Sequence, residues 1–242
     1  MRILILGATS AIAQAYARRR APGADFVLAG RREDRLAAVA ADLVACGATS
    51  AEPFVVDLTA IDGIASAVLT LRTRFGEPEE AVIAYGVLGE QAVSARDLGV
   101  ARTVIDTNFT SAALWTLALL DGRGAGPFTL VGIGSVAGDR GRASNFIYGS
   151  AKAALDRFLE GLTQTYDGTA VRIIRVKPGF VDTPMTAAYA KGALWATPDA
   201  VAADIERAVQ KGRRVVYTPW FWWPIMAIIR HLPWFVFKRL KI

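Results

Sequence analysis

Short apolar runs rich in β-branched residues alternate along the chain with longer stretches whose apolar positions recur at helical spacing. The runs "RILIL", "DFVLAG", "PFVVD", "AVIAYG", "FTLVGIGS", "VRIIRV" and "RVVYT" each predict a strand. Among the intervening stretches, "REDRLAAVAADLVACG", "DGIASAVLTLRTRFG" and "VARTVIDTNFTSAALWTLALL" predict amphipathic helices. Strands that are apolar on both faces, separated by helices, fit a parallel sheet covered on both sides. The expected fold class is therefore α/β, a doubly wound seven-stranded parallel sheet in a single domain. Ligands of such sheets bind beyond the carboxyl ends of the strands, where strand order reverses. The chemistry is expected just after each strand.

Composition adds little to this picture. The 242 residues are 53% hydrophobic, ample for one core of this kind. Met1 is followed at once by Arg2 and "ILIL", with no apolar stretch of signal length, so a cytoplasmic body is expected. The lone Cys46 has no disulfide partner and reads as a small packed residue near a helix end. His231 reads as a polar tip without a second histidine at metal spacing, and no metal site is expected.

Charge changes the picture more. Of 28 basic residues, eight follow Glu206: Arg207, Lys211, Arg213, Arg214, Arg230, Lys238, Arg239 and Lys241; none of the 22 acids does. The body shows no basic helix interleaved with stacking aromatics, which argues against nucleic acid as a partner. After Thr218 the chain reads "PWFWWPIMAIIRHLPWFVFKRLKI", interrupted by Pro219, Pro224 and Pro233. It is too broken to span a bilayer. Its tryptophans and trailing cations suit the headgroup interface of an anionic membrane; alternatively, they complete the substrate pocket or a subunit interface. Residues 1–218 are read as the catalytic body and 219–242 as an extension of it.

The candidate chemistry sits at the strand ends. "GATSAIAQAYARR" follows the first strand, where Gly7 allows a tight turn and Thr9 and Ser10 open a helix whose N-terminus suits a phosphate. Ala11 and Ala13 stand where a dinucleotide fingerprint usually has its second and third glycines. After the second strand, Arg31 and Arg32 replace the usual acid and favour a 2′-phosphate, hence NADP(H), with NAD(H) the alternative. In "NFIYGSAKAALDRF", Tyr148 and Lys152 share one helix face, so the ammonium can favour the ionised phenol. To work near neutral pH that phenol needs a pKa lowered by about 3 units from its free value, roughly 4 kcal/mol from a desolvated lysine and a cationic nicotinamide.

With Ser135 in "GIGSVAG", these residues resemble the short-chain dehydrogenase/reductase family, whose catalytic serine, Y-x-x-x-K pair and helix-borne asparagine match Ser135, Tyr148, Lys152 and Asn108. The resemblance covers residues 2 to 218 and implies a Rossmann-type sheet, a homo-oligomer and a nicotinamide cofactor. It places Gly7, Thr9, Ser10 and Ile12 at the pyrophosphate turn, and Asp57 with Leu58 near the adenine. Tyr85 and Gly86, in "AYG", replace the family's N-N-A-G turn; Pro178, Gly179, Val181 and Thr183, in "KPGFVDT", flank the nicotinamide. By the same resemblance Lys152 also holds the cofactor ribose, and Asn108 bends its helix and holds a water.

A narrower resemblance lies in "GDRGRASNFIYGSAKAALDRFLEGL" and "RHLPWFVFKRLKI", which are similar to the mycobacterial reductases of a decaprenylphosphoryl 2-keto-pentose. It implies a lipid-linked sugar ketone as substrate, a flavin oxidase as partner, a peripheral place on the inner membrane face, and Arg140 and Arg142 as extra cations near the pocket. The readings that remain beside it are an oxidoreductase of a soluble or fatty carbonyl and a non-catalytic NAD(P) sensor.

Overall fold

The structure, a computed structural model, describes residues 1–239. Lys241, one of the tail cations named above, lies outside the described residues. One sheet contains β1 (Arg2–Leu6), β2 (Asp25–Gly30), β3 (Ser50–Val55), β4 (Glu80–Ile83), β5 (Phe128–Ile133), β6 (Val171–Pro178) and β9 (Val215–Thr218). Their spatial order is β3-β2-β1-β4-β5-β6-β9, every neighbouring pair parallel. A separate ribbon joins β7 (Phe180–Val181) to β8 (Trp195–Ala196).

Each strand feeds two cores because successive side chains point to opposite faces. Ile3, Ile5, Phe26 and Leu28 meet helices α1 (Ala11–Arg20), α2 (Glu33–Ala45) and α8 (Pro198–Gln210) on one side. Leu4, Leu6, Val27 and Ala29 meet α3 (Ile64–Phe75), α6 (Ser111–Leu120) and α7 (Phe146–Thr165) on the other. Completing the chain are α4 (Gln91–Ser94) and α5 (Leu98–Ile105), with α9 (Trp222–His231) and α10 (Trp234–Phe237) in the tail. Order reverses between β1 and β4, so the crevice between their carboxyl ends is the switch point.

The structure differs from the sequence reading at three places. The third strand starts at Ser50, three residues ahead of "PFVVD", because its backbone continues the pairing with β2 from Asp25 onward. The long helix expected over 100–120 is three pieces: α5, a π-helical turn at Asp106–Thr110, and α6. Cys46 is exposed rather than packed, because α2 ends there and the chain turns outward at Gly47 with φ 97°.

Candidate active site

The first turn places Gly7 at φ 88°, against the backbone of Tyr85. Ser10 caps α1 with extended backbone but no side-chain bond, so the first amides of that helix keep their donors for an anionic group. Ala13 is fully buried and lets α1 close on the sheet, while Ile12 is buried beside it. Among the described residues this is the arrangement a dinucleotide pyrophosphate needs, and the remaining strand ends line up with it. Asp57 accepts from the Thr59 amide and hydroxyl at 2.9 and 2.7 Å, and these bonds, with Arg31 nearby, hold its pKa below the ordinary range. Leu58 is buried and offers only backbone, its carbonyl already accepting from the Trp115 indole at 3.0 Å.

The two candidate 2′-phosphate arginines are not equivalent. Arg32 folds back on Asp34, with bonds of 3.2 and 2.8 Å, which the sequence reading did not anticipate. Arg31 is exposed and close enough to Asp57 to lower its pKa.

Past β4, Tyr85 turns its phenol to Ser111 at the start of α6, 3.0 Å away. Gly86 meets Asn108, where a β-carbon would stand 2.5 Å from the carboxamide oxygen. Asn108 is 1% exposed, in the π-helical turn. Its Nδ2 donates to the Val87 and Val104 carbonyls at 2.7 and 2.8 Å, and Oδ1 accepts from the Val87 amide at 3.3 Å. The side chain is thus committed to pinning the segment after β4. This clamp was not readable from spacing.

Ser135 follows β5; its hydroxyl oxygen accepts from the Ala137 amide at 3.1 Å, and the group lies close enough to the Tyr148 phenol to pull its pKa down. The short helix Val136–Asp139 then runs against α7 so closely that a β-carbon on Gly138 would stand 2.7 Å from the Ala153 amide nitrogen. That approach is what brings serine and tyrosine together. Lys152, 4% exposed, donates to the Ile133 carbonyl at 3.0 Å and lies 5.9 Å from the Tyr148 ring centre. Burial lowers its pKa to about 8, and burial pushes the Tyr148 phenol up to about 12, with the Ser135 hydroxyl pulling the other way. The lowering expected from lysine and a cationic nicotinamide together is not supplied by the lysine alone. Desolvation disfavours the charged form of both groups, and the ammonium bonds a carbonyl rather than the phenol.

After β6, Pro178 is buried and Gly179 packs flat against Trp222, whose indole nitrogen occupies the place of a β-carbon. Val181 is buried in the ribbon, and Thr183 pairs with Thr186 through its amide at 3.2 Å. Behind this segment lies a group that sequence reasoning passed over. Lys177, 3% exposed, donates to Asp139 at 2.7 Å and reaches Asp156 at 2.9 Å, while Tyr217 donates to Asp139 at 2.7 Å. Its only signal was a cation directly before the P-G pair. Arg140 and Arg142, expected as pocket cations, are engaged with the tail instead. Arg140 donates to the carbonyls of Ile229, Arg230 and Leu232 at the end of α9 and stacks 3.8 Å over Phe237. Arg142 rests 3.5 Å from the Met226 sulfur.

The comparison that decides the family is a match of residues 1–193 to the short chain dehydrogenases. The chain belongs to that family. A protein of Mycobacterium tuberculosis described as an uncharacterised oxidoreductase is 39% identical over 239 residues, 98% of this chain and 96% of its own. Two solved structures share the fold. A short chain dehydrogenase from Shigella flexneri complexed with NADP aligns with a TM-score of 0.78 at 22% identity, over 89% of this chain and 95% of its own. The 3-oxoacyl-[acyl-carrier protein] reductase from Brucella melitensis in complex with NAD aligns at 0.77 and 23% identity, over 89% and 94%. This short-chain dehydrogenase is thus an NAD(P)-dependent oxidoreductase on a single-domain Rossmann fold.

Proposed function

We propose that the protein reduces the ketone of a 2-keto-pentose carried on a polyprenyl phosphate, drawing on NADPH. The observation that carries the reduction is the Ser135 hydroxyl beside the Tyr148 phenol, with Lys152 one helical turn on and 5.9 Å from the ring centre. When bound, the nicotinamide supplies the hydride. The chain's own residues handle the proton and the charge. Tyr148, protonated at neutral pH, gives its phenolic proton to the carbonyl oxygen, and the Ser135 hydroxyl donates to the same oxygen as negative charge develops there. Lys152 places a buried cation beside the Tyr148 ring and, by the family resemblance, would hold the ribose of the cofactor.

The lipid-linked sugar is supported by the similarity of residues 138–162 and 230–242 to reductases of such substrates. A flavin oxidase that makes the ketone, a homo-oligomeric state and a peripheral place on the inner membrane face belong to the same reading. Preference for NADP(H) is supported by Arg31, which is free of any hydrogen bond among the described residues and sits beside Asp57.

The test is oxidation of NADPH and of NADH with a polyprenylphosphoryl 2-keto-pentose and, in parallel, with soluble and fatty ketones, the product identified by mass. Turnover of the lipid-linked ketone with NADPH, and a shift toward NADH in Arg31→Asp, are expected. Turnover confined to soluble or fatty ketones would overturn the substrate, and no turnover at all would leave a cofactor-binding sensor.

A further inference from the structure

Helix α9, "WWPIMAIIRH", is apolar nearly all round, yet only Trp222 and Met226 are buried. A helix of that composition ordinarily lies within a core or a membrane. Here the body covers one side only. Trp222 and Met226 pack on Val136, next to the catalytic serine, and Phe237 of α10 lies buried beneath Arg140. The opposite side is left to solvent: Trp220 is 76% exposed, Trp223 60%, Ile228 65%, Trp234 69% and Phe235 63%. Arg230, Lys238 and Arg239 are exposed among them, and no acid among the described residues pairs with any of the three.

With Trp222 and Met226 packed on Val136 at one end, and Arg140 bonding the last carbonyls of α9 and stacking on Phe237 at the other, the tail is fastened at both ends of its contact with the body. Its outward side chains are held outward. We propose that this face is a docking surface for the headgroup layer of an anionic membrane, with the rings of Trp223, Trp234 and Phe235 at headgroup depth and the three cations on lipid phosphates. Indoles favour that layer, where one end of the ring is apolar and the other wet. No described helix is long and apolar enough to cross a bilayer, and the ten residues of α9 reach roughly 15 Å, so the segment lies along the surface. A second copy of this chain fits the face less well. A two-fold contact sets the same patch against itself, and here it would set cation against cation where nothing acidic follows Glu206.

The inference deepens the lipid-linked substrate reading and rests on it only for the benefit of docking, since it places the Ser135 turn beside the lipid surface. Flotation of the full chain with vesicles of phosphatidylcholine, with and without phosphatidylglycerol, at low and high salt, tests it. The wild type is expected to float with the anionic vesicles at low salt and to be partly released as salt rises. Trp223→Ser, Trp234→Ser and Phe235→Ser together should abolish flotation, and Lys238→Glu with Arg239→Glu should weaken it by roughly tenfold. Cofactor binding, which needs none of these exposed residues, reports that each variant is folded.

Wild-type protein that stays soluble with anionic vesicles at low salt would overturn the proposal. So would a triple variant that floats as well as the wild type, or one that instead falls from dimer to monomer in sedimentation. A protein that floats but reduces no ketone keeps the docking surface and loses the ketoreductase, and one that reduces a soluble ketone but never floats does the reverse.

Discussion

Lys152 and Tyr148 meet as their spacing requires, yet burial moves them in opposite directions, the ammonium down to about 8 and the phenol up to about 12. In reduction the phenol must carry its proton and the lysine its charge. Both conditions hold below about pH 8, so kcat/KM for reduction should be level there and fall above it as Lys152 deprotonates. A pH–rate profile measures this, and a Tyr148→Phe variant should lose about 10²- to 10⁴-fold in kcat while its cofactor Kd is unchanged. The same lysine sets a sign for stability. Its folded pKa lies below the unfolded one, so between the two the unfolded chain binds more protons and stability rises with pH. What was legible here was identity and spacing: Ser135, Tyr148 and Lys152 are written in the sequence. The direction of the phenol shift was not, because desolvation depends on the turn at Val136–Asp139 closing over α7, and no local pattern encodes that approach.

At the scale of elements, three pieces that carry chemistry converge on one ammonium. Lys177 belongs to β6, Asp156 to α7, one turn beyond Lys152, and Asp139 to the turn after Ser135. Replacing the cation by Lys177→Met would leave two buried carboxylates facing each other, at a cost of about 3–5 kcal/mol. Chemical denaturation of the variant should show that loss. Burial raises the Asp156 pKa, but Lys177, Arg157 and Arg175 more than offset it, so the carboxyl ends below its usual range. The stability it contributes is therefore present above the ordinary carboxylate pKa and is lost as pH falls through the depressed one. Strands and most helices were readable because apolar period reports which face is covered. The break at Asp106–Thr110 was not, since a π-helical turn adds one residue to the phase without interrupting the apolar run on either side. The tail was half readable: composition marked an aromatic, basic segment and left membrane, pocket and subunit interface open, and the packing of Trp222 on Gly179 sets its inner side against the site.

Seen whole, the molecule has one end for chemistry and one for holding. At the amino ends of the strands Glu80, 1% exposed, accepts from Tyr16 at 2.5 Å and from Arg20 at 3.0 Å. Glu80→Ala should cost about 3–5 kcal/mol by stranding a buried guanidinium, while kcat/KM of the folded fraction is unchanged. Thermal unfolding alongside turnover separates the two effects. Legibility divides along the same axis: the chemical end was marked by residue types, whereas Glu80 lies 60 and 64 residues from its partners Arg20 and Tyr16 and shares no motif with them. The π-helical turn carries Asn108 to the chemical end, and it makes chain length itself part of the site. A π-helical turn holds one residue more than a regular helix needs, so deleting a single one between Asp106 and Thr110 would let α5 run into α6 as an unbroken α-helix. Trp115 on α6 would keep its bond to the Leu58 carbonyl, whereas Asn108, carried by the bulge itself, would lose its place against Gly86. Loss of one codon here would thus spare the helix and its packing and cost the site its asparagine clamp.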